Sequence, residues 1–260
     1  MPDFKLYHWE PNANSGKPIQ TLFEKGVAFE SCWVDVPKFE HHEPGYLEIN
    51  PLGVVPAAVH GEHRLYESTA IMEYVDAAFD GPALRPSDPV ERWRMRWWMK
   101  FVDEYYAPAV SMVAWSRNRL VAGAADRDEA ETERLKTRIA AIPQKERQVS
   151  WSKAIFGTFS DAELAESERK TVFGAGVLEQ ALGRTEWLAG DSFSLADINA
   201  FNLCYFMPMR PDGLVSDATT PRTMEWLRRI NERPATRKAW ELGRNFKADR
   251  LTHLERKSAA

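Results

Sequence analysis

The fold of this chain is decided by the stretch Gly45-Tyr-Leu-Glu-Ile-Asn-Pro-Leu-Gly-Val-Val-Pro56, which runs directly into the predicted strand Ala57–His60. A proline directly before a strand donates no ladder hydrogen bond, and the bond before proline is the only routine source of cis peptides. The turn at Val55-Pro56 therefore leaves the main-chain N–H and C=O groups of Val55 free. An extended ligand could pair with these two groups as an added strand does.

A second informative step lies in Arg64-Leu-Tyr-Glu-Ser-Thr-Ala-Ile71, where a short apolar strand gives way at Glu67-Ser68 to an amphipathic helix predicted over Glu67–Phe79. Free N–H groups at a helix start can hold a carboxylate, and the Glu67 carboxylate can hold an ammonium. A γ-glutamyl group carries both charges on one carbon. The turn and the helix start together predict one pocket that binds a small peptide through backbone and through a helix end.

Strands and helices alternate in the first part of the chain, up to a polar linker that begins at Gly81-Pro82. The order βαβαββα implies a mixed sheet with helices on its faces, which is the thioredoxin-like plan. We therefore predict a thioredoxin-like domain over residues 1–82. Its predicted elements are a strand Phe4–His8, a helix Asn14–Lys25 ending at Gly26, a strand Phe29–Val34, a short helix near Gly45–Ile49, a hairpin of Ala57–His60 and Arg64–Tyr66, and the helix Glu67–Phe79.

The chain after the Pro-rich linker Arg85-Pro-Ser-Asp-Pro89 is predicted to be helical throughout. Its first helix should run over Val90–Leu120, with a kink at Pro108, because proline lacks the N–H that an inner helical turn requires. We therefore predict an all-α domain over residues 88–260. The predicted fold class is therefore an α/β thioredoxin-like domain followed by an all-α helical bundle domain.

Two capping boxes mark later helices of this domain. Ser160 and Ser194 each stand three residues before an acidic residue, the pattern in which side chain and backbone bond reciprocally. The second box opens a notably apolar helix, Leu195–Phe206, which should lie at the centre of the bundle. The charged tail from Lys247 is expected to fray.

Length and composition set the class of the protein. At 260 residues with 44% hydrophobic content, the chain can bury a large core in one large domain or two small ones. A net charge of −4 argues against a nucleic-acid surface. The N-terminus lacks an apolar signal region, and no stretch reaches the roughly 20 apolar residues of a membrane helix. Cys32 and Cys204 have no CxxC partner and are interpreted as buried thiols of a cytoplasmic protein.

Several segments resemble the glutathione transferase family, and the resemblance extends over essentially the whole chain. The segments Pro11-Asn-Ala-Asn-Ser-Gly-Lys-Pro18 and Phe39-Glu-His-His42 are most similar to the bacterial glutathione-dependent β-etherases, which split lignin-type aryl ethers. The resemblance implies the glutathione transferase fold, glutathione as co-substrate and a homodimer. The other similar segments are Lys5–Ser15, Thr21–Glu30, Val34–Glu40, Asn50–Gly53, Leu188–Ile198 and Trp226–Pro234.

Asn14 and Ser15 stand at the predicted N-cap of the first helix, where a thioredoxin-like domain presents its reactive group. That position holds no cysteine, which excludes dithiol redox chemistry there. Taken alone, both residues are ordinary helix caps. The resemblance places the sulfur of glutathione beside them, where a donor and helix N–H groups would lower the thiol pKa from about 8.5. Ser15 is the first choice as the activating residue, with Asn14 as cap or support, and the choice between them stays open.

By the same resemblance, the loop of His41 and His42 meets the glycine end of glutathione. The glycine carboxylate would accept a hydrogen bond from an imidazole, from Lys17 or from Lys38. Which of these basic residues binds the carboxylate stays open. Adjacent histidines can also indicate a metal, but no third ligand has suitable spacing, so no metal site is predicted.

The second substrate, an electrophile, is expected between the two domains. An aromatic row at helical spacing is more often core than binding site, whereas a Met-rich segment interrupted by proline suits an adaptable pocket for an aryl group. The candidate residues for this pocket are Trp97, Phe101, Tyr105, Met112, Trp115, Phe206 and Met209.

The expected reaction is displacement of a phenolate by the glutathione thiolate from a β-aryl ether that carries an α-carbonyl. The reaction needs proximity and an ionised thiol but no strong acid. An alternative enzyme is a general glutathione transferase or dehalogenase. An alternative of another class is a non-catalytic glutathione-binding scaffold, because fold alone does not fix activity. The sequence does not identify the electrophile or its preferred enantiomer.

Overall fold

The computed structural model describes residues 2–118 and 128–256, without the side chains of Trp115, Arg117 and Asn118. Its first part has the predicted βαβαββα order. The elements are β1 Phe4–His8, α1 Ala13–Lys25, β2 Glu30–Trp33, α2 Pro44–Leu47 after a 3₁₀ turn Glu40–His42, β3 Ala57–His60, β4 His63–Tyr66 and α3 Ser68–Ala78.

The four strands form one mixed sheet in the order β2-β1-β3-β4. β1 pairs with β2 in parallel and with β3 antiparallel, so that Leu6 lies opposite Ser31 on one side and Ala58 on the other. Phe4 and Leu6 are fully buried, as expected for alternate residues of a strand with one face on the core. The thioredoxin-like plan predicted from the element order is confirmed.

Helix α1 approaches the second domain closely at Gly16. A Cβ at this residue would lie 2.0 Å from Oδ1 of Asn202 and 2.7 Å from the carbonyl oxygen of Pro11, so that only glycine fits. These close contacts at Gly16 therefore fix the start of α1 against both domains.

The helix ends as predicted at Gly26. The φ of this residue, 71°, is left-handed, and its N–H donates to the carbonyl oxygens of Leu22 and Phe23.

The remainder of the described chain is helical. Its elements are α4 Pro89–Phe101, α5 Ala107–Asn118, α6 Glu129–Ala140, α7 Lys145–Phe156, α8 Asp161–Ala181, α9 Leu195–Cys204, α10 Pro221–Asn231, α11 Pro234–Glu241 and a closing 3₁₀ segment Ala248–Leu254. Both predicted capping boxes are present, at Ser160 and Ser194. All ten residues of α9 are buried, which confirms its central place.

The long helix predicted over Val90–Leu120 is divided into two. A π-helical turn, Val102–Tyr106, separates α4 from α5 and ends two residues before Pro108. Proline has no N–H for the turn before it, and here the N–H of Ala107 reaches back to Val102 in the wider pattern. Residues 119–127, including the predicted end of this helix, lie outside the described part of the chain.

The C-terminal tail is more ordered than the sequence predicts. The tail was expected to fray from Lys247, but Leu251 and Leu254 are buried in the 3₁₀ segment, which corrects that expectation up to Leu254. Within residues 2–118 and 128–256, every helix is too short or too polar to span a bilayer.

Candidate functional site

A cavity of about 170 Å³ lies where the Val55-Pro56 turn, the start of α3 and the start of α7 come together. It brings together the two sequence features that predict a peptide pocket, the Val55-Pro56 turn and the helix start at Glu67-Ser68. The residues that line it are Asn14, Leu52, Val54, Val55, Pro56, Glu67, Ser68, Gln144 and Arg147. The pocket thus has walls from both domains.

The turn presents Val55 to the cavity with its main chain free. The Val55-Pro56 peptide bond is cis. Tyr46 Oη and Asn50 Nδ2 both donate to the carbonyl oxygen of Val54, so the residue before Val55 is fixed by two hydrogen bonds. Within the described residues, neither the N–H nor the C=O of Val55 makes a hydrogen bond. A ligand in extended conformation can therefore pair with both groups.

Glu67 stands at the N-cap of α3 in an unusual backbone conformation, with φ 69° and ψ 111°. Positive φ in a residue other than glycine costs free energy and concentrates at functional sites. The first N–H groups of α3 have no partner inside the helix, as at every helix start. Glu67 and Ser68 therefore offer the cavity a carboxylate, a hydroxyl and the positive end of a helix.

Lys17 does not line the cavity, which corrects its assignment to the glycine carboxylate. Its side chain is buried, and its Nζ lies 2.7 Å from Oδ1 of Asp103. The same carboxylate accepts from Thr69 Oγ1 and, at 3.3 Å, from Asn199 Nδ2. Burial lowers the pKa of Lys17, and Asp103 opposes that shift. The Lys17 charge is thus balanced inside the protein, behind the first turn of α3.

Asn14 and Ser15, the residues predicted to lie beside the sulfur of glutathione, have different surroundings. The N-cap of α1 is Asn12 rather than Asn14, so the capping role considered for Asn14 and Ser15 is wrong. Asn14 is exposed and lines the cavity. Ser15 is 4% exposed, and its Oγ accepts from the N–H of Trp9 at 3.2 Å. The Ser15 hydroxyl keeps its own proton to donate to another acceptor.

His41 and His42 lie outside the cavity lining, against α7. Their rings stand 3.9 Å apart, and the His41 ring lies 5.6 Å from that of Trp151 and stacks on Phe39. Burial lowers the pKa of His41 to about 3 and that of His42 to about 4, with the positive charge of Arg147 adding to both shifts. The rings are neutral at pH 7, and neither ring lines the cavity. This position corrects the expectation that an imidazole at residue 41 or 42 donates to the glycine carboxylate there.

Gln144 and Arg147 line the cavity but were not predicted from the sequence. Gln144 is the N-cap of α7 and Arg147 lies in its first turn. Neither residue belongs to a recognisable motif, and both are far along the chain from the other lining residues. The only sequence signal was a basic residue at the start of a helix, which is common on protein surfaces.

The residues predicted to bind the electrophile do not line the cavity. Trp97, Phe101 and Tyr105 stack in one row along α4 and the π-helical turn, with ring centroids 5.2 and 5.3 Å apart. Trp97 is 40% exposed, whereas Phe101 packs against the core. Among the others, Met112 accepts from Ser167 Oγ, Phe206 packs edge-on against Tyr205, Met209 is exposed, and the side chain of Trp115 lies outside the described residues.

Known proteins agree with this architecture. Residues 2–77 match the model of the glutathione S-transferase N-terminal domain, and residues 153–234 match that of the C-terminal domain. Protein LigF from Sphingobium sp. (strain NBRC 103272 / SYK-6) is 39% identical over 91% of this chain and 93% of its own length, and glutathione S-transferase F9 from Arabidopsis thaliana is 28% identical over 86% and 90%. The crystal structure of beta-etherase LigF from Sphingobium sp. strain SYK-6 superposes with a TM-score of 0.84 at 38% identity, covering 92% of this chain and 98% of that one. The chain belongs to the glutathione S-transferase family.

Proposed function

We propose that this protein is a glutathione-dependent β-etherase, an enzyme that cleaves β-aryl ethers with the thiolate of bound glutathione. The observation that carries the proposal is the cavity in which the cis-proline turn and the Glu67-Ser68 helix start meet. A beta-etherase of known structure that is 38% identical over nearly its whole length supports the choice of electrophile.

The γ-glutamyl and cysteinyl parts of glutathione each have a matching group in this cavity. The γ-glutamyl carboxylate would accept from Ser68 and the first N–H groups of α3, and its ammonium would pair with the Glu67 carboxylate. The cysteinyl backbone would bond to the N–H and C=O of Val55 beside Pro56. The sulfur would then lie near the start of α1, where Asn14 and Ser15 are the candidate donors.

The chemistry is a displacement at the carbon that carries the aryloxy group. The thiol first loses its proton to solvent, aided by donors that stabilise S⁻. A carbon–sulfur bond then forms as the carbon–oxygen bond breaks, and its electron pair leaves on the phenolate oxygen. The neighbouring carbonyl activates the carbon. A phenolate leaves without an obligatory acid, so the protein contributes proximity and an ionised thiol.

A comparison of two electrophiles tests the proposal. The protein is incubated with glutathione and either a fluorogenic α-keto β-aryl ether or chlorodinitrobenzene. We expect glutathione-dependent release of the fluorescent phenol at a higher rate than chlorodinitrobenzene conjugation. Conjugation without ether cleavage would favour the general transferase, and glutathione binding without turnover of either compound would favour the scaffold.

We further propose that the protein is a cytoplasmic homodimer. The dimer is supported by an exposed aromatic surface on α4, where Trp93 is 61% and Trp97 40% exposed. Adjacent exposed rings on one helix form an apolar patch, and contiguous apolar patches are a feature of interaction surfaces. A cytoplasmic location is supported by the two free cysteines, Cys32 and Cys204, because a reducing compartment keeps thiols unpaired.

A further inference from the structure

The lining of the cavity contains two charged residues, Glu67 and Arg147. Glutathione carries one ammonium and two carboxylates at neutral pH. The ammonium matches Glu67, and the helix start at Ser68 matches the carboxylate on the same carbon. The carboxylate at the glycine end still requires a partner, and the lining offers one cation for it.

Arg147 is available for that role. Within residues 2–118 and 128–256, its guanidinium makes no hydrogen bond and no ion pair within 4 Å, and its Nε is buried without a hydrogen-bond partner. Burial also lowers the pKa of Arg147, and the negative charge of Glu67 on the same cavity wall opposes that shift. A guanidinium left unpaired at a cavity wall is costly, and a bound carboxylate would relieve that cost through two parallel hydrogen bonds.

The other basic residues considered for the glycine carboxylate either form an ion pair with another residue or do not line the cavity. Lys17 is paired with Asp103, and the exposed Lys38 pairs with Asp35 at 3.0 Å. The neutral rings at positions 41 and 42 pack on α7 instead of lining the cavity.

Helix α7 packs against the first domain one turn after Arg147, through the ring of Trp151. Trp151 packs on Phe39 at 5.2 Å and on the rings of His41 and His42 at 5.6 and 6.4 Å between centroids. This cluster fixes the first turn of α7 beside the turn that carries Val55. The position of Arg147 therefore follows from packing between the domains.

We propose that Arg147 binds the glycine carboxylate of glutathione, with Gln144 beside it, so that the helical domain completes the peptide site. This inference rests on the proposed function, because it takes glutathione as the ligand. It assigns recognition of the peptide's C-terminal charge to a residue that the thioredoxin-like domain does not contain.

The test compares two ligands, glutathione and its glycine monoethyl ester, by calorimetric titration. The ester keeps the γ-glutamyl group and the thiol but loses the charge at the glycine end. We expect the unaltered protein to bind glutathione roughly ten- to a hundredfold more tightly than the ester, as loss of one charge-assisted carboxylate contact predicts. In Arg147→Met, the two ligands should bind with equal affinity, at the level of the ester.

Two variants serve as controls. Lys145→Met removes a cation from the exposed side of the same helix and should keep the preference for glutathione over the ester. Ser68→Ala should weaken both ligands by the same factor. An unchanged preference in Arg147→Met, or an equal weakening of both ligands by that substitution, would overturn the assignment. Glutathione binding by the unaltered protein would still support the proposed function. Failure of the unaltered protein to bind either ligand would instead contradict the proposed function.

Discussion

Asn14 and Ser15 are neighbours in sequence but have different access to the site. Asn14 is exposed at the cavity wall, whereas Ser15 is buried with its oxygen bonded to the N–H of Trp9. Because Asn12 occupies the N-cap, neither residue is needed as a cap. Both therefore remain available as donors to a thiolate, Ser15 through a hydroxyl proton in a dry environment and Asn14 through an amide at the surface.

We expect Ser15→Ala to raise the pKa of bound glutathione and to lower turnover roughly ten- to a hundredfold, since a hydrogen bond to a charged acceptor contributes about 1.5–3 kcal/mol. Glutathione affinity should change little, because the γ-glutamyl contacts are untouched. Asn14→Ala should have the smaller effect. Thiolate absorbance in the ultraviolet measures the pKa. Full activity and an unchanged titration in both variants and in the double variant would reject the assignment.

The sequence correctly predicts that residues join one cavity where a short sequence pattern marks them. Val55 and Pro56 were found from turn chemistry, and Glu67 and Ser68 from the transition between strand and helix. Arg147 and Gln144 have no such signal, because only the packing of α7 brings them to the cavity. Lys17 was misassigned for the same reason, since the Asp103 that neutralises it lies 86 residues away.

At the scale of elements, α7 depends on an aromatic cluster made of Phe39, His41, His42 and Trp151. The ring nitrogens of both histidines are buried without partners among the described residues. A charged imidazole there would be poorly solvated and would face its neighbour and the nearby Arg147. Protonation of either ring therefore destabilises the folded state.

This cluster should make stability sensitive to acid. The pKa of an unfolded histidine is about 6.5, whereas those of His41 and His42 are lowered to about 3 and about 4. Their stability contribution is complete above pH 6.5 and decreases as the pH falls, because the unfolded chain then binds protons that the folded chain excludes. Each histidine contributes a slope of about 1.4 kcal/mol per pH unit.

His41→Phe should reduce that slope by about 1.4 kcal/mol per pH unit between pH 6 and pH 4. Urea unfolding at a series of pH values measures the free energy of unfolding. His63→Phe, in the exposed hairpin outside the cluster, is the matched control for loss of an imidazole. If His41→Phe and the unaltered protein show the same slope, the neutral cluster is not the source of acid sensitivity.

At the scale of the whole molecule, the two domains and the C-terminal segment are joined by buried polar groups. Glu10, directly before the α1 region, accepts from the main-chain N–H groups of Arg244, Asn245 and Phe246 and from the Asn245 amide. Trp9 packs edge-on against Phe246. The centrality of α9 was predictable from its apolar composition, but this anchoring of the tail was not, because a buried carboxylate cannot be told from a surface one in sequence.

Glu10→Gln should destabilise the protein by about 1.5–3 kcal/mol, since replacing a carboxylate oxygen with an amide leaves main-chain donors unpaired. Hydrogen exchange should also become faster in residues 244–254. Glu225→Gln is the control, because it breaks an exposed ion pair with Arg256 that contributes about 1 kcal/mol or less. Equal effects of the two substitutions on the free energy of unfolding would contradict the anchoring role.

The proposed homodimer is tested by sedimentation at micromolar concentration. The protein should sediment with the mass of two chains, and the double substitution Trp93→Glu and Trp97→Glu should give single chains by charging the exposed surface of α4. Arg94→Glu changes charge on the same helix and should leave the dimer intact. A single-chain mass for the unaltered protein would refute the proposal.

The most direct test of the central claim, that the cavity is the glutathione site, is calorimetric titration of glutathione into the protein and two variants. Glu67→Gln and Ser68→Ala should each weaken binding roughly ten- to a hundredfold, because each removes a partner of a charged group on the γ-glutamyl carbon. Glu62→Gln, on the exposed turn between β3 and β4, should bind as the unaltered protein does. Unchanged affinity in both Glu67→Gln and Ser68→Ala would show that glutathione binds elsewhere.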